Sequence, residues 1–245
     1  MYTERSSRLV PGAVLWQAGA PGGAVLPDGC MDLLWVEGRL LVAGPDTGPH
    51  PAGEVPGSGF AGIRFAPGTA PALLGVPAYE LRDRRVELAD LWPARTVRAL
   101  AGTVASYADP SAGLEELARR HAPAPDPLTA EVVARLRAGE TVARIADALG
   151  MGPRRLHRRS LTAFGYGPKT LARVLRLQRA LAGVRAGRPY PEVAHTTGYA
   201  DQAHLAREVR SLAGTTLTAY SAGLAGYPAA ANSDTPQPSG SSTTA

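Results

Sequence analysis

Residues 141–165 read Thr141-Val-Ala-Arg-Ile-Ala-Asp-Ala-Leu-Gly-Met-Gly-Pro-Arg-Arg-Leu-His-Arg-Arg-Ser-Leu-Thr-Ala-Phe-Gly165, and residues 191–214 read Pro191-Glu-Val-Ala-His-Thr-Thr-Gly-Tyr-Ala-Asp-Gln-Ala-His-Leu-Ala-Arg-Glu-Val-Arg-Ser-Leu-Ala-Gly214. The stretches overlay: Ala146 on Ala194, Gly150 on Gly198, Leu156 on Leu205, Arg158 on Arg207, Gly165 on Gly214, with one extra residue in the second turn. Each has the grammar of a helix-turn-helix. A small Ala (146 or 194) lets a second helix cross closely. A Gly (150 or 198) then ends the first helix, since glycine tolerates the left-handed C′ position. Pro153 suits the first turn of the next helix in copy one, and Asp201 suits the N-cap in copy two. Leu156 and Phe164 are the expected buried side in copy one; Leu205, Val209 and Leu212 form it in copy two.

The remaining faces are polar. Arg154 and Arg158 are four residues apart and share a face, with Arg155 and His157 beside it. In copy two Gln202, His204 and Arg207 point away from the apolar stripe. Arginine can read guanine bidentately and glutamine adenine, so these are useful side chains on a helix entering a major groove. The alternative for Arg158 and Arg207 is an ion pair within the scaffold, and His157 and His204 could touch phosphate alone. Pro168 to Ala186 carries Leu171, Val174, Leu175, Leu181 and Val184 at helical spacing. About 19 residues at ~1.5 Å each span roughly 28 Å, near the ~34 Å between successive major-groove faces. Arg155, Lys169, Arg173, Arg176 and Arg179 are expected to meet phosphates rather than bases.

The region 128–221 resembles the DNA-binding domain of AraC/XylS-type transcriptional regulators. The resemblance is carried by Ile145-Ala-Asp-Ala-Leu-Gly150, Leu156-His-Arg158, Arg176-Leu-Gln-Arg-Ala180, Val193-Ala194 and Gly198-Tyr-Ala-Asp-Gln202. It implies sequence-specific binding of double-stranded DNA. By position it assigns base contacts to Arg154, His157 and Arg158, and to Gln202, Ala203, His204 and Arg207. The chain departs from the family at Ser160 and Val209, where aromatics are usual, at Leu205, usually Phe, and at Gly214-Thr-Thr-Leu217, which lacks the usual Pro. Leu26-Pro-Asp-Gly29, Asp32-Leu-Leu, Ala43-Gly-Pro45, Gly62-Ile-Arg-Phe-Ala-Pro-Gly68 and Leu81-Arg-Asp83 resemble an uncharacterised N-terminal module fused to such domains. That implies a regulatory or sensor role for residues 8–120.

Charge divides the chain in the same place. Residues 1–125 carry 11 basic and 13 acidic side chains; residues 126–245 carry 15 and 8. Between Arg144 and Arg188 only Asp147 is acidic, an excess that suggests an anionic partner or a solvated face. The first half reads as strands at Ala24–Pro27, Met31–Val36, Arg39–Ala43 and Gly59–Phe65, with Glu37-Gly38 as a tight hairpin. Pro71–Leu74 reads as a helical turn, Ala94–Tyr107 as a helix, and Ser111–His121 as another with Ser111 as N-cap. The expected fold class is α+β. A β-rich regulatory domain with trailing helices (1–121) and a Pro-rich linker (122–127) precede an all-α domain (128–226) of two helix-turn-helix units joined by a long helix. A disordered tail (227–245) follows.

Other chemistries find little support. A lone Cys30 excludes an intrachain disulfide and any multi-cysteine metal site, and Cys30 with Asp28 and distant His50 lacks metal-ligand spacing. Asp28 and Asp32 could be a paired-carboxylate site, but Pro-Asp-Gly is a common turn. Arg64 lies in an otherwise apolar strand and needs an anionic partner, either Asp28, Asp32 or Asp83, or a ligand of this domain. Trp16 and Trp35 could line a pocket, but core packing is the default reading. No Ser-His-Asp set, phosphate-binding Gly loop or zinc motif is present, so neither an enzyme nor a cofactor or metal is expected. No apolar run approaches the ~18 residues of a membrane span, and Met1 to Trp16 lacks a signal-peptide core, so a cytoplasmic location is expected. A small-molecule effector, RNA polymerase contact and a homodimer are the further partners compatible with this organisation. The rivals are an architectural, non-specific DNA binder and an enzyme tethered to DNA.

Overall fold

A computed structural model describes residues 2–19, 24–51, 56–57 and 59–223. The expected tail at 227–245 lies outside the described residues.

The first half is built on a six-stranded antiparallel sheet. Its strands are β1 (Tyr2–Ser6), β2 (Val14–Gly19), β4 (Met31–Val36), β5 (Arg39–Ala43), β7 (Gly59–Phe65) and β8 (Arg85–Glu87), in the order β1-β2-β7-β4-β5-β8. Short strands β3 (Ala24–Val25) and β6 (His50–Pro51) pair with each other. Register places Leu15, Ile63, Leu33 and Val42 side by side across four strands, all essentially inaccessible. The alternate positions Leu34, Val36, Leu41, Ala43 and Phe60 are buried as well, in a smaller cluster on the other face, so the central strands are covered on both sides. Against it pack α1 (Ala70–Leu74), α2 (Ala94–Ala105) and α3 (Pro110–His121), through Leu73, Val97, Val104, Leu114 and Leu117. Glu37 and Gly38 both adopt positive φ, the signature of a two-residue hairpin turn.

Two helix starts, at Pro110 and Pro127, differ from the sequence expectation, and strands β1, β2, β6 and β8 come in addition to the four expected. The N-cap of α3 is Asp109, not Ser111: Pro110 takes the first helical position and the Asp109 carboxylate accepts from the Ser111 N–H at 2.8 Å. Likewise α4 (Pro127–Arg137) starts at Pro127, with Asp126 as cap.

Glu115 on α3 holds the turn after β1. Its carboxylate accepts from Ser7 Oγ at 2.7 Å and from the backbone N–H groups of Arg8 and Leu9 at 2.7 and 3.3 Å, while Arg5 lies 3.2 Å away. Burial opposes the charge, but these hydrogen bonds outweigh it and hold the carboxyl below its ordinary value. A carboxylate depressed in the folded state stabilises above its ordinary pKa, and that contribution is lost as pH falls through the depressed value. Glu115→Gln is expected to cost about 1–3 kcal/mol at neutral pH and to flatten the acid limb of urea midpoint against pH. An unaltered acid limb would show that Glu115 does not carry this linkage.

The second half is helical: α4, α5 (Val142–Ala148), α6 (Pro153–Phe164), α7 (Pro168–Arg185), α8 (Tyr190–Thr197), α9 (Gln202–Ala213) and α10 (Leu217–Gly223). α5 and α6 form one helix-turn-helix, α8 and α9 the other. Ile145, Ala146, Leu156 and Phe164 share a core with Leu171 and Leu175 of α7. Val193, Ala194, Leu205, Val209 and Leu212 share a second core with Leu177, Ala180, Leu181 and Val184 of the same helix. One helix thus supplies both units with their floor. Ser160 is 1% exposed, so the position where an aromatic is usual is still an interior one.

The halves touch directly. Gln178 of α7 donates to the Pro27 carbonyl at 2.6 Å, and Arg82 donates to the Gly165 carbonyl at 3.3 Å. Leu26 packs against the second helix-turn-helix core. These contacts come from loops of the sheet domain, not from the segment joining α3 to α4.

Candidate nucleic-acid interface

α6 begins on Gly152 with Pro153 in its first turn, and its sequence holds no acidic residue. Arg154, Arg155, His157 and Arg158 are exposed. The His157 ring folds back beside Gly167, where a Cβ would lie 2.7 Å from it. α9 begins on Asp201, whose carboxylate accepts from the His204 N–H at 2.6 Å. Gln202, Ala203 and Arg207 are exposed. His204 is half-buried: it meets the Tyr199 ring edge-on at 5.1 Å, and its Nδ1 accepts from the Ala200 N–H at 3.4 Å. Among the described residues, no ion pair engages Arg154, Arg155, Arg158 or Arg207. The scaffold ion pair considered for Arg158 and Arg207 therefore has no counterpart here.

The residues after Arg158 and Arg207 behave differently. Arg159 pairs with Asp126 at the start of α4. Glu208, at the equivalent place in copy two, accepts from Arg173 Nε and Nη2 of α7, both at 3.0 Å, and from Arg176 at 3.5 Å. Arg176 also lies over the Tyr199 ring at 4.4 Å. Burial opposes the Glu208 charge, but the two guanidinium groups outweigh it and hold the carboxyl low. Both α6 and α9 are thus tied to their scaffold one residue after Arg158 or Arg207. Sequence inspection missed Glu208 and Tyr199, because nothing local tells that a lone acid will meet arginines more than 30 residues away. Arg179 donates to the Arg137 carbonyl at 2.7 Å. Of the five residues expected at phosphates, Arg155 and Lys169 are exposed, whereas Arg173, Arg176 and Arg179 are half-buried and engaged within the protein.

Glu208→Gln keeps the shape but releases both arginines. It is expected to cost about 1–3 kcal/mol of stability. It should also raise affinity for non-specific DNA, steepening the salt slope by up to about two phosphate contacts. An unchanged slope would mean that Arg173 and Arg176 cannot reach the backbone even when freed.

In the sheet domain Arg64 closes on internal acids. Its Nε lies 3.1 Å from Asp28 Oδ2 and 3.2 Å from Asp32 Oδ1. Asp32 is its direct cross-strand neighbour. Burial, with the Asp28 charge, pushes the Asp32 carboxyl up against the pull of Arg64. The other Asp28 oxygen accepts from the Cys30 N–H at 2.8 Å, the turn expected from Pro-Asp-Gly. Burial, then Asp28, pushes the Cys30 thiol up, away from its thiolate. Asp83 instead holds Thr47. No group of His, Cys, Asp or Glu that could hold a metal occurs among the described residues, and no described helix is long and apolar enough to cross a membrane.

Residues 145–223 match a family model described as a helix-turn-helix domain, and residues 14–87 match a domain of unknown function (DUF6597). No curated protein matches the chain. Among solved structures, ToxT from Vibrio cholerae O395 is 8% identical over 92% of this chain and 99% of its own, with a TM-score of 0.49. The same protein bound to (E)-4-(8-methylnaphthalen-1-yl)but-3-enoic acid is 9% identical over 90% and 98%, with a TM-score of 0.46. Residues 145–223 are thus a helix-turn-helix domain of the AraC type, preceded at residues 14–87 by a domain of unknown function.

Proposed function

We propose that the chain is a transcriptional regulator that reads DNA sequence in two adjacent major-groove segments. The observation that carries this is the pair of equivalent exposed faces, each led by an arginine free of ion pairs, mounted on one shared helix. Arg158 and Arg207 are assigned to guanine edges and Gln202 to adenine. Arg154, His157, Ala203 and His204 complete the base-facing set. Arg155 and Lys169 are the phosphate contacts; Arg173, Arg176 and Arg179 serve the scaffold first and reach phosphate through their exposed edges. The sheet domain is the input side, answering to a small-molecule effector, a second copy or RNA polymerase. Its direct contacts with the helical domain support that role.

Selection of bound DNA from a random pool tests the reading. Two half-sites about one helical turn apart are expected, with affinity ~10³-fold or more above non-specific DNA. A binder of architectural type would return no preferred sequence and only a steep salt slope.

A further inference from the structure

The two reading helices end alike, and one loop of the sheet domain touches both ends. Gly165 closes α6 and Gly214 closes α9, each in the left-handed conformation. A Cβ on Gly165 would fall 2.6 Å from Pro45 Cγ, and one on Gly214 would fall 2.8 Å from Pro49 Cγ. Two prolines four residues apart therefore sit on equivalent points of the two reading units. The loop between them is anchored in its own domain. Asp46 is 7% exposed and bound by Arg85 through two hydrogen bonds of 2.9 and 2.7 Å. The Thr47 N–H and hydroxyl donate to Asp83, and the Asp83 N–H donates to the Pro45 carbonyl at 3.1 Å.

We infer that the Pro45–Pro49 loop is a spacer that fixes the separation of the two reading helices, so that the sheet domain determines the half-site spacing the protein accepts. Four residue steps reach at most about 14 Å, which bounds how far the two proline contact points can separate while both contacts hold. Proline suits the task because its ring has no flexible side chain to absorb a displacement. Pro45, Pro49 and the Asp46–Arg85 pair are positioning residues in this scheme and touch no base.

The inference rests on the two-headed reading proposed above, and one experiment separates their failures. Full-length wild type, a variant with two glycines inserted after Gly48, and Pro49→Ala are put through the same random-pool selection, followed by binding to sites whose spacers differ by one base pair. A side chain at Gly48 meets nothing within 4 Å, so the insertion enters open space and spares the Asp46 and Thr47 anchors. Pro49 is exposed, so its replacement removes the contact without opening a core. Wild type is expected to prefer one spacer by about tenfold or more, the equivalent of one lost base contact. Both variants should select the same half-site sequences with that preference reduced to less than about threefold, a loss of roughly half a log unit or more. Variants that keep the wild-type spacer preference overturn the inference while leaving the two-headed reading intact. A wild type that selects no paired half-sites overturns the reading and the inference with it.

Discussion

Arg64→Ala is expected to cost about 3–5 kcal/mol, because it removes the single cation from a buried cluster and leaves its carboxylates facing each other. Asp28 and Asp32 both touch Arg64 Nε, and the three side chains are only 12–18% exposed. Asp28 also sets the 26–30 turn, next to the Pro27 carbonyl that receives Gln178 of α7. The damage should therefore reach DNA binding as well as stability. Asp32→Asn is the informative control. It leaves one cation with one carboxylate, and burial already disfavours ionised Asp32, so its cost should be well below that of Arg64→Ala. A carboxyl raised in the folded state gives stability that grows as pH falls through the raised value, and Asp32→Asn should remove that component. Urea midpoints from pH 4 to 8 check all three expectations. A midpoint unchanged in Arg64→Ala would mean that the acids are solvated or protonated without it.

Arg158→Ala and Arg207→Ala are each expected to lose about 1–3 kcal/mol of binding and to relax preference at one base pair, in different half-sites. Neither side chain takes part in an ion pair among the described residues, so truncation should leave thermal stability unchanged. The two arginines lie on different helices and share no partner among the described residues, so the double variant should lose close to the sum of the single losses. Titration of the selected site and of its single-base variants provides the check. If each variant weakens every sequence equally, the arginines touch phosphate and the base assignment fails.

The helical domain was legible because its signals are local. Gly150, Gly198 and Asp201 punctuate helices within a few residues, and the duplication makes each copy a check on the other. The sheet was half legible. Met31–Val36 and Gly59–Phe65 announce themselves by β-branched and aromatic content, whereas Tyr2–Ser6 is polar and lies at a sheet edge. β2 does follow a turn signal, Pro11-Gly12 with Gly12 at positive φ, but its six residues Val14–Gly19 are only partly apolar. What stayed hidden were pairings across the chain. Arg64 called for an acid without saying which, and register alone selects Asp32. The meeting of Glu208 with Arg173 and Arg176, or of Pro45 and Pro49 with two glycines more than 100 residues away, depends on packing that no short window contains.

Helix α7 gives its first turns to one core and its last turns to the other. Neither reading unit can then melt alone, because fraying either strips the helix from its neighbour. Amides of Leu171 through Val184 should exchange with deuterium only through global unfolding. Occupancy of one half-site should therefore slow exchange throughout the opposite unit, which makes the pair thermodynamically a single binding device with two mouths.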